Sequence, residues 1–183
     1  GWSVLAYCNK NNPFSSNDYD QKNIEVRHLD LQDIEKLQKH LSESCFLNVY
    51  SFVNCAGKIF PKRYSNVSYE SLINSFNVNS ISASLFTQKL LPLMIKKKYG
   101  RILHLGSIGV KYGGGINNYP YSFAKHLLEF FPFEIKQASK HNVLCNTLRV
   151  GFVDSGLQEK IPNKDFDERV SLIPIKRAAQ PKE

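Results

Sequence analysis

The chain has 183 residues and a formal net charge of +8, from 24 Lys and Arg against 16 Asp and Glu. That length suits about one domain with a real core, and 42% hydrophobic with 22% charged residues excludes disordered, collagen-like and fibrous sequence. No stretch reaches the ~20 apolar residues of a membrane helix, and Gly1-Trp2-Ser3-Val4 shows neither an initiator Met nor a basic-then-apolar pattern that would suggest secretion.

Taken in chain order, short apolar runs alternate with helical patterns. Ser3 to Tyr7 reads as a strand, followed by a polar stretch from Asn9 to Ser15. Ile24 to Leu29 alternates apolar and polar residues, the period of a strand, and leads to Asp30. Leu31, Ile34, Leu37 and Leu41 mark one face of a helix over 31–41. Phe46 to Val53 is a β-rich run with a turn signal at Gly57. Ser68 is an N-cap candidate for a long helix that carries Leu72, Phe76, Ile81 and Phe86, bends near Pro92 and ends in Lys96-Lys97-Lys98. Arg101 to Leu105 is the next strand. A helical pattern over 121–140 should be kinked by Pro132, and Asn142 to Leu148 is a last strand. The alternation predicts an α/β fold, a doubly wound parallel sheet, with ligands beyond the carboxyl ends of the strands.

Cys8, Cys45, Cys55 and Cys145 lie far apart with no C-x-x-C pair, which fits free thiols in a reducing, cytoplasmic setting. The five histidines are equally scattered, so no metal site is expected. The lysine cluster with Arg101 reads as a solvated helix end that complements the helix dipole. Without a zinc finger or an aromatic-basic RNA motif, neither a nucleic acid nor a membrane is the expected partner.

The distinctive residues follow two of the strands. After Val53 comes Asn54-Cys55-Ala56-Gly57, and after Leu105 comes Gly106-Ser107-Ile108. Beyond them a helix carries Tyr121 and Lys125 four residues apart, on one face, so phenol and ammonium point into the same space. A free phenol has a pKa of ~10. A neighbouring cation would lower it and let the tyrosine exchange a proton with a carbonyl or alcohol. A hydrolase elbow fails because Leu105 stands where glycine is needed, and Gly113-Gly114-Gly115 lacks the Lys and Ser/Thr of a phosphate loop and reads as mobile.

Together, in this order, these motifs resemble the short-chain dehydrogenase/reductase family in its 3-oxoacyl-carrier-protein-reductase-like form, over nearly the whole chain. Asn54-Cys55-Ala56-Gly57 is similar to the family's Asn-Asn-Ala-Gly, and Asn79, Ser107, Tyr121 and Lys125 match its catalytic tetrad. Asn146 to Gly151 resembles its Asn-x-x-x-Pro-Gly segment, with Val150 in place of proline. The resemblance implies a Rossmann-like fold and hydride transfer between a nicotinamide cofactor and a carbonyl or alcohol. It makes Tyr121 the general acid/base, has Ser107 orient the substrate oxygen and Lys125 bind ribose and depress the phenol's pKa, and gives Asn79 a relay water. It also implies cofactor contacts from Asp30, Leu31, Asn54, Ala56, Gly57, Val150, Gly151, Val153 and Ser155.

Ala6 to Lys10 carries no carboxylate to hold a ribose diol, which favours NADP(H) over NAD. Expected substrates are a 3-oxoacyl thioester on an acidic acyl carrier protein, for which Lys98 and Lys140 would suit docking, a sugar derivative or a small ketone. Their choice would lie in the loop from Ser107 to Tyr121 and in a lid from Ser155 to Leu172. A homo-oligomer, dimer or tetramer, is expected. The other reading is a catalytically silent member acting as a cofactor-binding or regulatory module. Relatives have a strand, a Thr-Gly-x-x-x-Gly-x-Gly turn and a helix ahead of the point matching Gly1, and a helix and strand after Gln180-Pro181. Residues 1–183 are therefore expected to be a single incomplete dinucleotide-binding and catalytic domain, part of a chain of roughly 230–250 residues.

Overall fold

The parallel strands predicted from the alternation are present in two ladders. The computed structural model describes residues 1–10, 21–43, 46–157, 161 and 165–183. Cys45, most of the polar stretch after Asn9 and part of the expected lid lie outside the described residues. By its internal contacts the chain divides into two units, Gly1–Glu43 and Ser44–Glu183. No helix among the described residues is long and apolar enough to cross a membrane.

In the first unit, β1 (Val4–Cys8) pairs in parallel with β2 (Ile24–His28), Val4 opposite Ile24 and Cys8 opposite His28. Helix α1 (Ile34–Leu41) starts later than its apolar pattern suggests, because Asp33 caps it by accepting from Lys36 N at 3.0 Å. Leu37 and Leu41 are buried. The Tyr7 hydroxyl lies 2.7 Å from His40 Nε2, and His40 Nδ1 lies 2.9 Å from Glu43, so one imidazole ties β1 to the end of α1.

The second unit is built on a parallel ladder in the order β3 (Ser51–Asn54), β4 (Gly100–Leu105), β5 (Val143–Leu148). Val53 faces Leu103, and Leu105 faces Leu148. Strand β3 is shorter than the run from Phe46 suggests. Val49 N–H donates to Phe46 O at 3.2 Å, which turns the chain and buries Phe46 edge-on against Phe86.

The long helix begins as expected at Ser68. Its hydroxyl accepts from Ser71 N while Ser71 Oγ accepts from Ser68 N, a reciprocal cap for α2 (Tyr69–Phe76). The helix then widens to a π-turn over Asn77–Ile81 and continues as α3 (Ser82–Lys97). The irregularity thus falls at Asn79, and α3 runs through Pro92. Helix α3 packs closely on β4: a Cβ at Gly100 would lie 2.6 Å from Met94 Sδ, so only glycine fits there.

After β4 come a short α4 (Gly109–Tyr112) and α5 (Tyr119–Leu127). The single helix expected over 121–140 is broken. Pro132 has no N–H to give and holds Phe131 away from helical geometry. The chain restarts at Pro132 as α6 (Phe133–Gln137). The break is fastened to β5 and the residue after it: Thr147 Oγ1 donates to Leu128 O at 2.5 Å, and Arg149 grips Glu129 at 2.6 and 2.7 Å. Helix α7 (Phe166–Ser171) follows near the end of the chain. Leu90, Met94, Ile102, Ala124 and Val143 form the centre of the core.

Candidate active site

The carboxyl ends of β3 and β4 carry the residues singled out in the sequence, and backbone bonds fix their neighbourhood. Past the end of the ladder, Gly106 N–H donates to Leu148 O at 2.8 Å and Ile108 N–H to Val150 O at 2.9 Å. Ser107 is thereby held beside the turn after β5. Val150 acts in this contact through its carbonyl, which proline would also present, so the departure from the family's proline leaves the contact intact.

Lys125 reaches from α5 to the ends of both strands. It is buried, and its ammonium donates to Ala56 O at 2.9 Å and to Leu105 O at 2.7 Å. Burial brings its pKa down to about 8, with the Cys55 thiol pulling the other way. The ammonium also lies 5.8 Å from the centre of the Tyr121 ring.

Tyr121 departs from the simplest expectation. Burial pushes its phenol above the ordinary value, and a hydrogen bond with Ser107 opposes that rise. Lys125 is not among the causes; its ammonium bonds to the two strand-end carbonyls. At neutral pH the phenol is protonated beside the Ser107 hydroxyl, which itself accepts from Gly109 N at 3.1 Å. Two proton-carrying hydroxyls therefore converge at the end of β4.

Asn79 is wholly buried in the π-turn. Its Oδ1 accepts from Lys58 N at 2.9 Å, and its Nδ2 donates to Lys58 O at 2.9 Å and Ser75 O at 2.9 Å. The Asn79 amide is thus engaged by protein. Gly57 connects the groups: a Cβ there would lie 3.8 Å from Lys125 Nζ and 3.9 Å from Asn79 Oδ1. The structure thus brings Asn79, Ala56, Gly57 and Lys125 together, and Tyr121 with Ser107.

The other expected cofactor residues are placed as follows. Asn54 is buried at the end of β3, its Oδ1 accepting from Ala56 N at 3.3 Å, while its Nδ2 has no protein partner. Gly151 has nothing within 4 Å of where a Cβ would be. Val153 bridges to Ala179, and Ser155 is exposed. Asp30 and Leu31 belong to the first unit, where the Asp30 carboxylate accepts from Gln32 N at 2.9 Å. Cys55 stands beside Lys125 and burial raises its pKa, so it adds no negative charge at neutral pH.

Sequence reasoning missed the main-chain groups of Lys58 and Leu105, which no side-chain motif reports, and Ser75, whose spacing from Asn79 was an available signal. The glycine run is also less free than expected. Gly114 has φ +74°, and a Cβ there would collide with the Ser122 hydroxyl. Lys98 and Lys140 lie before β4 and β5, at the opposite strand ends from Ser107, so about 17 Å of strand separates them from the hydroxyl pair.

A family model described as short chain dehydrogenase matches residues 1–165. Among curated proteins, the chain is 26% identical over 164 residues to a 3-oxoacyl-[acyl-carrier-protein] reductase FabG of Buchnera aphidicola, covering 88% of this chain and 67% of that one. It is 32% identical over 108 residues to the protein of the same description from Thermotoga maritima, covering 58% of this chain and 44% of that one. Among solved structures, a 3-oxoacyl (acyl-carrier-protein) reductase from Agrobacterium tumefaciens with NADP bound superposes with a TM-score of 0.75 at 23% identity, over 87% of this chain and 64% of that one. The chain therefore spans 44% to 67% of the length of these relatives.

Proposed function

The chain belongs to the short-chain dehydrogenase family, and we propose that the protein reduces a carbonyl with NADPH, a 3-oxoacyl thioester being the favoured substrate. The observation that carries this reading is the protonated Tyr121 phenol beside the Ser107 hydroxyl, with the buried Lys125 ammonium on the same helix. The names of the relatives, reductases of 3-oxoacyl groups on a carrier protein, support the substrate class. The absence of a carboxylate at Ala6 to Lys10 and the NADP in the structural neighbour support the choice of cofactor.

The residues present fit a nicotinamide nucleotide. An ammonium has three N–H donors; Lys125 gives two to Ala56 O and Leu105 O, so one remains for a ribose hydroxyl. The open space at Gly151 and the unpartnered Asn54 Nδ2 lie at the carboxyl ends of the strands. Ala56, Gly57, Val150, Val153 and Ser155 are proposed to complete this cradle, and Asp30 and Leu31 of the first unit keep the cofactor contact that the resemblance implies.

Bound NADPH supplies the hydride. Ser107 holds the substrate oxygen, and Tyr121 Oη gives that oxygen its proton. The raised pKa of the phenol suits it to this acid role and makes the resulting phenolate costly. Asn79 keeps Lys58 in place, and a relay water at Asn79 would return the proton.

We place the protein in the cytoplasm as a homo-oligomer, a statement that sedimentation and fractionation can check. The test of the activity is NADPH oxidation with a panel of 3-oxoacyl thioesters, ketones and sugar derivatives. Tyr121→Phe should abolish turnover and leave NADPH affinity nearly unchanged. Substantial turnover in that variant overturns the assignment. NADPH binding by the unmodified protein without reduction of any carbonyl would favour the silent-module reading.

A further inference from the structure

Two buried polar atoms without a protein partner stand on paired positions of the β3–β4 ladder. Among the described residues, neither Asn54 Nδ2 nor His104 Nδ1 makes a hydrogen bond. Asn54 lies opposite His104 in the parallel register, so both side chains leave the same face of the sheet. That face carries the buried residues of β4, Gly100, Ile102 and His104. The ring of Phe52, two residues before Asn54, meets the His104 ring edge-on at 6.1 Å, and Thr87 of α3 reaches His104 from above.

The two atoms are complementary. Thr87 Oγ1 donates its one hydrogen to Ala83 O at 2.8 Å, so towards His104 Nε2, 3.5 Å away, it can only accept. Nε2 therefore carries the ring hydrogen. Burial and the Lys125 charge bring the His104 pKa down to about 4, so the imidazole is neutral at neutral pH and has no second hydrogen. His104 Nδ1 is left with a bare lone pair, an acceptor. Asn54 Nδ2 is a donor, and which end of that amide is nitrogen follows from Oδ1 accepting from Ala56 N at 3.3 Å.

We propose that His104 is a positioning residue for Asn54: its Nδ1 accepts, through one buried water, a hydrogen of Asn54 Nδ2. A donor and an acceptor, both buried and neither in direct contact with a partner, are the two polar groups that a bridging water needs. An amide nitrogen has two hydrogens, so the second stays available to a cofactor. As far as it concerns the cofactor, the proposal rests on the reading of Asn54 as a site residue. His104→Leu keeps the position apolar and filled but leaves Asn54 held by the Ala56 bond alone. His104→Asn offers an amide oxygen as the replacement acceptor.

The first measurement is the ring nitrogen spectrum of His104 in the 15N-labelled full-length protein at neutral pH. Nε2 should be protonated, and Nδ1 should be unprotonated but shifted by an accepted hydrogen bond. A protonated Nδ1, or one with the shift of an unbonded lone pair, overturns the proposal. In His104→Leu the Asn54 side-chain amide signals should shift and the NADPH Kd should rise about fivefold, the scale of one ordinary hydrogen bond. His104→Asn should reverse both changes. Asn54 signals that stay the same in His104→Leu, or that His104→Asn fails to bring back, overturn the proposal. Should His104→Leu not fold, the ring nitrogens of the unmodified protein still decide. A crystal structure should show a water within about 3.2 Å of both atoms, and its absence there overturns the bridge. If the unmodified protein binds no NADPH, the cofactor reading fails, while the ring and amide signals still decide whether His104 holds Asn54.

Discussion

Replacing Lys125 by methionine separates what the ammonium contributes to the fold from what it contributes to the chemistry. Burial takes its pKa from 10.5 to about 8, so the charged form is disfavoured in the fold by about 3 kcal/mol. Methionine removes that penalty but leaves Ala56 O and Leu105 O without their donor, at about 1–3 kcal/mol each. The terms nearly cancel, and the net loss should be no more than about 3 kcal/mol. Turnover, by contrast, should fall at least about a hundredfold, the scale of a misplaced reacting partner once the ammonium no longer orients the ribose. Urea unfolding gives the first quantity and NADPH oxidation the second. The pH dependence adds a signed check. Between pH 8 and 10.5 the unfolded lysine holds a proton that the folded one has released, so the stability of the unmodified protein should rise with pH across that window. Lys125→Met should abolish that rise. A variant that loses far more stability than this while retaining activity would refute the reasoning.

Three further outcomes follow from single contacts. His104 is buried, and burial, aided by Lys125, lowers its pKa to about 4, so stability should be lost as pH falls from 6.5 to 4; His104→Leu should flatten that limb in acid titration of unfolding. Ser68→Ala removes one half of the reciprocal cap of α2 and should cost about 1 kcal/mol in urea unfolding; an unchanged midpoint would refute the cap. Gly100→Ala drives a methyl into Met94 and should cost about 1–3 kcal/mol, with a visibly lower melting temperature.

Much of the fold was legible because its signals are local. Strands β1, β2, β4 and β5 follow from period and composition, and Ser68 caps its helix because a hydroxyl at that position meets free N–H groups. The start of α1 shifted because Asp33 caps it, and β3 lost its first half to a turn at Phe46. The helix expected from Tyr121 stopped at Leu127, since Pro132 and its neighbour cannot continue it and β5 offers side chains to hold the break.

The sequence by itself determined which residue types are available at the strand ends: Asn79, Ser107, Tyr121 and Lys125 at their family spacing, on a parallel α/β scaffold. Only the tertiary structure decided the state in which they work. Burial depends on atoms from elements far apart in sequence, so the spacing of Tyr121 and Lys125 could suggest a lowered phenol pKa, while packing raises it and lowers the lysine instead. The ammonium bonds to main-chain oxygens of Ala56 and Leu105, groups that every residue carries and no motif can announce. The π-turn around Asn79 is likewise a matter of which carbonyls find donors once α2 and α3 meet the loop at Lys58.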